Sequence, residues 1–414
     1  MLGDESVNPL PSGFGAIYTV KATNVTHVQE TVRFASEHNI RLAIKNTGHD
    51  FLGRSTAPSS ISLWVTAMND IRVVDKFIPV GAPEREPQVG VPAVVLGPGA
   101  LWVMFTRLST RMVGLSLVGT KFLWVPLEGF VSAVGMVRFP RVMDFELFWA
   151  LRGGAPGFAA VVEAVYRTHP ALENINYFQA TIFSNDTGSM DKVTRDFYSR
   201  HDGWLKDGWS GYAAAKRSVV VIQYFLPDAS IAKATSAMQP FLDYARSLPA
   251  VAILNDSVDH YPTFYAMFLA RSDTLFDEKT AGINALLGSR LIPRTMLQSD
   301  REVDLLSSTL VKLQEDLVQI WPEAGFLVQF IAGGQREALV LFIGANEWDD
   351  STPYGTQLAY QRKLTKSVGR LRKITPGGGT YGNEADPNEP DWRGSFFGSA
   401  NYPRLRSVQK NIKA

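Results

Sequence analysis

The sequence predicts an α+β fold in two parts, followed by a C-terminal tail of different character. Three observations predict it. Residues 17 to 46 read as strand, helix, strand, and the second strand empties into a polar loop that contains glycine. After His169-Pro170 the pattern changes, and residues 171 to about 375 alternate longer helices with strands. From Pro376 onward the chain is rich in Gly, Asn, Asp and Trp, the composition of an ordered loop system. The parts are therefore read as 1–170, 171–375 and 376–414.

In chain order, Thr26 and Gln29 have the spacing of a capping box, and Val28, Val32 and Ala35 then recur on one helical face. Leu42-Ala43-Ile44 is a short apolar strand running into Asn46-Thr47-Gly48. Ile61 to Trp64 alternates as a strand does, and Val94-Val95-Leu96 is another, stopped by Gly97-Pro98-Gly99. Leu101, Met104, Phe105, Leu108 and Met112 suit one face of an amphipathic helix. Asp144 can cap a short helix that carries Leu147, Phe148 and Leu151 and ends at Gly153-Gly154, before a strand over Val161 to Tyr166. In the second part, Val219 to Ile222 reads as a strand. A hairpin is expected where Phe326–Ile331 and Leu339–Ile343 flank Gly333-Gly334. Asp259-His260-Tyr261, with Tyr265, reads as a helix start, and Gly377-Gly378-Gly379 reads as a turn.

Composition narrows the chemistry. The chain has 414 residues, 45% apolar and 20% charged, which suits a globular protein with a sizeable core. A formal net charge of +1, with no Lys/Arg stripe, gives no electrostatic footprint for nucleic acid or an anionic membrane. No cysteine is present, which removes disulfides, thiolate metal sites and cysteine nucleophiles. His27, His38, His49, His169, His201 and His260 show no paired spacing of a zinc site, so no metal is expected. No phosphate-binding Gly-Lys-Ser/Thr loop and no Gly-x-Ser-x-Gly elbow occurs, so kinase and hydrolase readings fall away. The N-terminus shows neither a basic start nor an apolar run of the signal-peptide kind, and no apolar stretch is long enough to cross a bilayer.

The sharpest local feature is Lys45-Asn46-Thr47-Gly48-His49-Asp50-Phe51-Leu52-Gly53-Arg54-Ser55. Successive backbone N–H groups in a loop after a strand can form a concave anion site, and glycine permits close approach. Such a nest suits a pyrophosphate. His49 adds an imidazole that can be a covalent anchor or an acid–base group. The same residues also read as a plain turn whose histidine bonds to nearby backbone.

This segment resembles the flavin-anchoring loop of the berberine-bridge-enzyme-like oxidases of the vanillyl-alcohol-oxidase superfamily, in particular the fungal branch described as isoamyl alcohol oxidases. The resemblance implies that His49 carries FAD through its 8α-methyl group and that Asn46, Thr47 and Gly48 hold the pyrophosphate, with Asp50 and Ser55 in the same loop. Further stretches are similar in order along the chain. They are Leu96-Gly97-Pro98-Gly99 with Trp102; Leu147-Phe148-Trp149 to Gly154 with Tyr166 to Pro170; and Tyr381 to Asp386, Asp391-Trp392, Phe396-Phe397-Gly398 and Asn401 to Leu405. The resemblance implies a PCMH-type FAD-binding domain over 1–170 in two subdomains, an inserted α/β substrate domain over 171–375, and a tail over 376–414 that packs back on the FAD domain. It also implies Tyr381 and Asn383 as catalytic residues and Asn401 and Tyr402 as flavin neighbours. The expected partners are a small organic substrate and dioxygen.

The sequence departs from the family between Gly119 and Asp144, where the usual glycine-rich run that wraps the cofactor is replaced by a short piece containing Leu123, Trp124 and Leu127. The second covalent anchor of some members, a cysteine, is absent. The expected activity is FAD-dependent oxidation. The rival readings are a redox-inactive relative acting as isomerase or cyclase, and a truncated homologue without function.

Overall fold

The computed structural model describes residues 15–48, 50–78, 90–101, 136–137, 145–154, 157–168, 172–275, 284–319, 325–330, 338–344, 347–348 and 351–411. The chain divides into two compact units, one formed by Met1–Ala171 with Phe397–Ala414 and one by Leu172–Phe396.

In the first unit, β1 (Tyr18–Lys21), α1 (Val25–Glu37), β2 (Arg41–Lys45) and β3 (Ser60–Trp64) form a parallel sheet of order β1-β3-β2 with its helix. Helix α1 starts two residues earlier than the capping-box spacing suggested. Asn24 is the cap, its side chain accepting from the backbone N of His27 at 3.0 Å. The buried stripe is Val28, Thr31 and Ala35, whereas Val32 is exposed, because spacings of three and four set the inward face.

A second sheet of order β4-β5-β7-β6 joins β4 (Ile71–Phe77), β5 (Val91–Leu96), β6 (Met136–Val137) and β7 (Ala164–Arg167), with each neighbouring pair antiparallel. The strand expected from Val161 begins only at Ala164. Val161 and Val162 instead wedge into two different apolar clusters, one with Val94 and Leu96, the other with Val28 and Leu63. The turn that stops β5 must be glycine. A Cβ on Gly97 would lie 2.2 Å from the Met68 carbonyl oxygen, and one on Gly99 would lie 2.3 Å from that of Thr66. The two turns are tied by Gly99 N donating to Met68 O at 2.9 Å and Gly97 N to Asp70 O at 2.8 Å.

Helix α2 (Phe145–Gly153) ends at the expected glycines. Against it lies the C-terminal helix, Tyr402–Asn411, through Ala150, Leu405 and Val408, with Trp149, Phe158 and Phe397 packed around them. Arg404 pairs with Glu146 at 2.6 Å and covers the Trp149 ring at 4.0 Å. The helix read over 101–112 is described only at Leu101. The Asp144 cap and the short 119–144 piece lie outside the described residues, apart from Met136–Val137.

The second unit is built on a seven-stranded antiparallel sheet of order β11-β8-β10-β9-β14-β15-β13. Its strands are β8 (Glu173–Ser184), β9 (Ser210–Lys216), β10 (Val219–Leu226), β11 (Val251–Thr263), β13 (Gly288–Pro293), β14 (Gly325–Phe330) and β15 (Ala338–Gly344). A two-stranded pair joins β12 (Asn284–Ala285) and β16 (Glu347–Trp348). Strands β14 and β15 form the expected hairpin pairing, and the Gly333-Gly334 turn lies outside the described residues. Alternation sets the layers. Phe178, Ala180 and Ile182 of β8 and Val220, Ile222 and Tyr224 of β10 face α3 (Thr187–Asp207), α4 (Ile231–Ser247), α6 (Asp300–Val318) and α7 (Tyr354–Ile374) in one core. On the opposite face α5 (Phe264–Leu275) packs beside β11 and β8.

Two readings change here. Asp259, His260 and Tyr261 belong to β11, and the helix begins at Phe264, because each residue pairs in register with β8 through Tyr177, Asn176 and Ile175. The segment 377–396 belongs with the second unit, so the unit boundary falls at Phe397 instead of Pro376. The cause is the buried guanidinium of Arg290. It donates to Thr375 Oγ1 at 2.8 Å, to the Thr375 carbonyl at 2.6 Å and to Ser395 Oγ at 3.4 Å, while Leu291 N donates to Gly379 O at 2.9 Å. A buried cation without such acceptors would be strongly destabilising. Among the described residues no helix is long and apolar enough to cross a membrane.

Candidate functional site

The loop that leaves β2 carries the strongest site character. Asn46 is buried, and its backbone carbonyl accepts the indole N–H of Trp64 at 2.8 Å. This fixes the loop onto the end of β3. The hydroxyl oxygen of Thr47 is buried and has no hydrogen-bond partner among the described residues. Gly48 holds φ +92, a left-handed conformation open to glycine, with the Lys45 side chain just beneath it. His49 lies outside the described residues.

After it, Asp50 closes the turn. Its carboxylate accepts from the backbone N of Arg54 at 2.6 Å and from the Arg54 guanidinium at 2.5 and 3.1 Å. Asp50 therefore shapes the loop through Arg54, and Ser55 follows half-buried.

The other expected site residues sit in two places. Tyr381 and Asn383 are half-buried in the second unit. The Tyr381 backbone N donates to Ser289 Oγ at 2.9 Å, and the Asn383 amide donates to the Tyr381 hydroxyl at 3.4 Å. Asn401 and Tyr402 lie in the first unit at the head of the C-terminal helix. Asn401 donates to the Phe397 carbonyl at 3.2 Å, and the Tyr402 ring packs 5.7 Å from Phe397.

Opposite the core face of the large sheet, Arg271 of α5 gathers several polar groups. It donates to Asp259, to the Tyr261 hydroxyl at 2.8 Å and to Gln179 at 3.3 Å, and its guanidinium lies 4.8 Å from the Tyr177 ring. Burial pushes the Tyr177 phenol up to about 12, although the nearby Arg271 charge works the other way. His260 points to the other face, toward Asn176 at 3.3 Å, as strand alternation requires. Among the described residues no group of His, Asp and Glu could hold a metal ion.

One feature escaped sequence reasoning. Lys21, Trp64 and Lys45 end three neighbouring parallel strands at the same level. Each lysine ammonium lies beside the Trp64 ring, at 5.6 and 5.8 Å from its centre. The signal is the strand register, which the separate strands do not reveal.

The loop fits an FAD diphosphate on two grounds visible in the fold. The orphaned Thr47 hydroxyl has donor capacity to spare, and Gly48 leaves the backbone bare.

Comparison with known proteins agrees. The FAD binding domain family matches residues 16–90, which include this loop, and the berberine and berberine-like family matches residues 380–412, which include Tyr381, Asn383, Asn401 and Tyr402. An uncharacterised FAD-linked oxidoreductase of Arthroderma benhamiae is 29% identical over 97% of this chain and 76% of its own length. That alignment runs over 462 positions, more than the chain's 414 residues, so the relative has residues with no counterpart here. The VAO-type flavoprotein MtVAO615 of Myceliophthora thermophila has the same fold, with a TM-score of 0.79 at 21% identity over 95% of this chain and 77% of that one. Glucooligosaccharide oxidase of Acremonium strictum, described with a 6-S-cysteinyl, 8α-N1-histidyl FAD, has a TM-score of 0.69 at 15% identity over 96% of this chain and 90% of its own. The chain thus carries an FAD binding domain and a berberine-like segment, is similar to fungal FAD-linked oxidoreductases over nearly its whole length, and has the fold of the VAO-type flavoproteins.

Proposed function

We propose that the protein is an oxidase of a small organic substrate, with FAD attached to His49 and held by the loop 46–50. The orphaned Thr47 hydroxyl beside a bare left-handed Gly48 carries this reading. Bound there, FAD would supply the acceptor for the hydride of a substrate C–H bond, with dioxygen as the final oxidant and hydrogen peroxide as its product.

The chain's own part is to bind, orient and move a proton. Asn46, Thr47 and Gly48 offer backbone N–H groups to the diphosphate, and Thr47 adds its hydroxyl. Asp50 keeps that loop in shape by holding Arg54 from both its backbone and its guanidinium. Tyr381, ionised to its phenolate, takes the proton that leaves the substrate oxygen or nitrogen. Asn383 supports it, because an amide N–H donated to the hydroxyl oxygen favours the phenolate. Asn401 and Tyr402 secure the start of the C-terminal helix within the unit that carries the loop 46–50. The lack of cysteine leaves His49 as the anchor for a single covalent bond.

The test is the purified protein itself. It should show the yellow flavin spectrum, and a panel of primary alcohols, sugars and hydroxylated aromatic compounds should contain a substrate whose oxidation releases hydrogen peroxide. Tyr381→Phe should lower kcat on that substrate by about 100-fold with the flavin retained. A protein that stays colourless after added FAD would sink the proposal.

A further inference from the structure

We infer that Lys45 and Lys21 form a cationic clamp for the cofactor's diphosphate, with Trp64 as the plate that holds both ammonium groups in position. The inference rests on the loop 46–50 being the diphosphate site.

The geometry starts from the sheet. In a parallel sheet, residues paired across strands lie side by side on one face. Lys21 of β1 pairs with Trp64 of β3, and Trp64 pairs with Lys45 of β2, so the three side chains form one row. The row is also the last residue of every strand. It therefore stands at the carboxyl ends, where open α/β sheets bind ligands. Both ammonium groups approach the same indole, at 5.6 and 5.8 Å, within the range of a cation–π contact. The indole is itself anchored, since its N–H is bonded to the Asn46 carbonyl of the loop. Trp64 thus couples the two charges to the anion-binding backbone.

Lys45 comes closest. A Cβ on Gly48 would lie 3.1 Å from Lys45 Cε and 3.8 Å from its Nζ. The ammonium sits directly under the residue that opens the loop. Neither lysine has an acidic partner among the described residues. The carboxylate of the loop, Asp50, is held by Arg54 through both its backbone N and its guanidinium. Two positive charges on one ring repel each other, and a diphosphate with its two negative charges would relieve that repulsion. A lysine supplies a point charge to a phosphate, and backbone N–H groups supply direction, so the two devices complement each other.

The competing role is packing, in which the lysine stems only cover the indole. Methionine separates the two, because it keeps an unbranched apolar stem and removes the charge. FAD binding is measured by quenching of flavin fluorescence in a His49→Ala background, so that covalent attachment does not hold the cofactor. At 50 mM salt, Lys45→Met should weaken FAD binding about tenfold and the Lys45→Met/Lys21→Met double variant more, while Lys45→Arg should restore it. At 500 mM salt these differences should shrink severalfold, since screening reaches partly exposed charges. The double variant binding FAD as tightly as its parent at low salt would overturn the clamp. So would equal losses with methionine and arginine, or a loss that salt does not change. A parent protein that binds no FAD at any salt would instead overturn the loop as the diphosphate site, and the clamp with it.

Discussion

Thr47→Val is predicted to act with opposite sign on the cofactor-free and the cofactor-loaded protein. The two side chains have the same shape, so the substitution removes one polar atom and little else. In the fold that atom is buried and has no hydrogen-bond partner among the described residues. A buried hydroxyl without a partner costs about 1–3 kcal/mol. Thr47→Val should therefore stabilise the cofactor-free protein by about 1 kcal/mol, at the lower end because the atom lies in a loop that can relax. If the hydroxyl donates to a diphosphate oxygen, the loaded protein loses a hydrogen bond to a charged group, worth about 1.5–3 kcal/mol. FAD binding should then weaken by about ten- to a hundredfold. The assay is thermal unfolding with and without FAD in the His49→Ala background, together with fluorescence titration. Equal destabilisation of both forms, or unchanged FAD affinity, would refute the reasoning that Thr47 waits for a ligand.

Other predictions concern the frame around the site. His201 is fully buried, with Nδ1 2.7 Å from the Phe197 carbonyl and Nε2 2.8 Å from the Tyr224 hydroxyl. The Phe197 carbonyl requires the proton on Nδ1, and in the neutral ring that burial favours, Nε2 accepts from the Tyr224 hydroxyl. Burial holds its pKa down to about 3, so between that value and the usual 6.5 the unfolded chain binds a proton that the folded one does not. Stability is complete above the ordinary histidine pKa and falls as pH drops, by about 2 kcal/mol at pH 5. His201→Gln should flatten that slope in thermal scans from pH 8 to 5, and an unchanged slope would assign it to other groups. Gly99→Ala should destabilise its unit by about 2–3 kcal/mol, since a Cβ there meets the Thr66 carbonyl, while Gly153→Ala, with open space around it, should be nearly neutral in the same denaturation assay. Asn24→Ala should cost about 1 kcal/mol through loss of the α1 cap, read from the same midpoint.

The alternation of apolar residues made most strands legible, because one buried face is enough to write the period into the sequence. Val94–Leu96, Ile61–Trp64 and the β14–β15 pair all fall where the pattern put them. What escaped reading depends on partners distant in the chain. Asp259 and Tyr261 interrupt the apolar pattern of β11 because Arg271 of α5 gathers them, which made a strand look like a helix start. The chain beyond Pro376 groups with the second unit as far as Phe396 because Ser395 is among the residues that satisfy buried Arg290, and no local pattern ties it to β13. Asn24 and Thr26 are both good caps by type, and only the 3.0 Å bond to His27 N decides between them. In the candidate site, the loop 46–50 was visible as a motif. The Lys21–Trp64–Lys45 row was not, since it exists only once three strands are set in register.

The most direct test of the flavin-anchoring loop is denaturing electrophoresis with detection of flavin fluorescence, comparing the natural sequence with His49→Ala. The account predicts a fluorescent band for the natural protein and a dark one for the variant, which should still take up FAD in its native state. A fluorescent band in His49→Ala, or a dark band for a natural protein that also binds no FAD when folded, would contradict it.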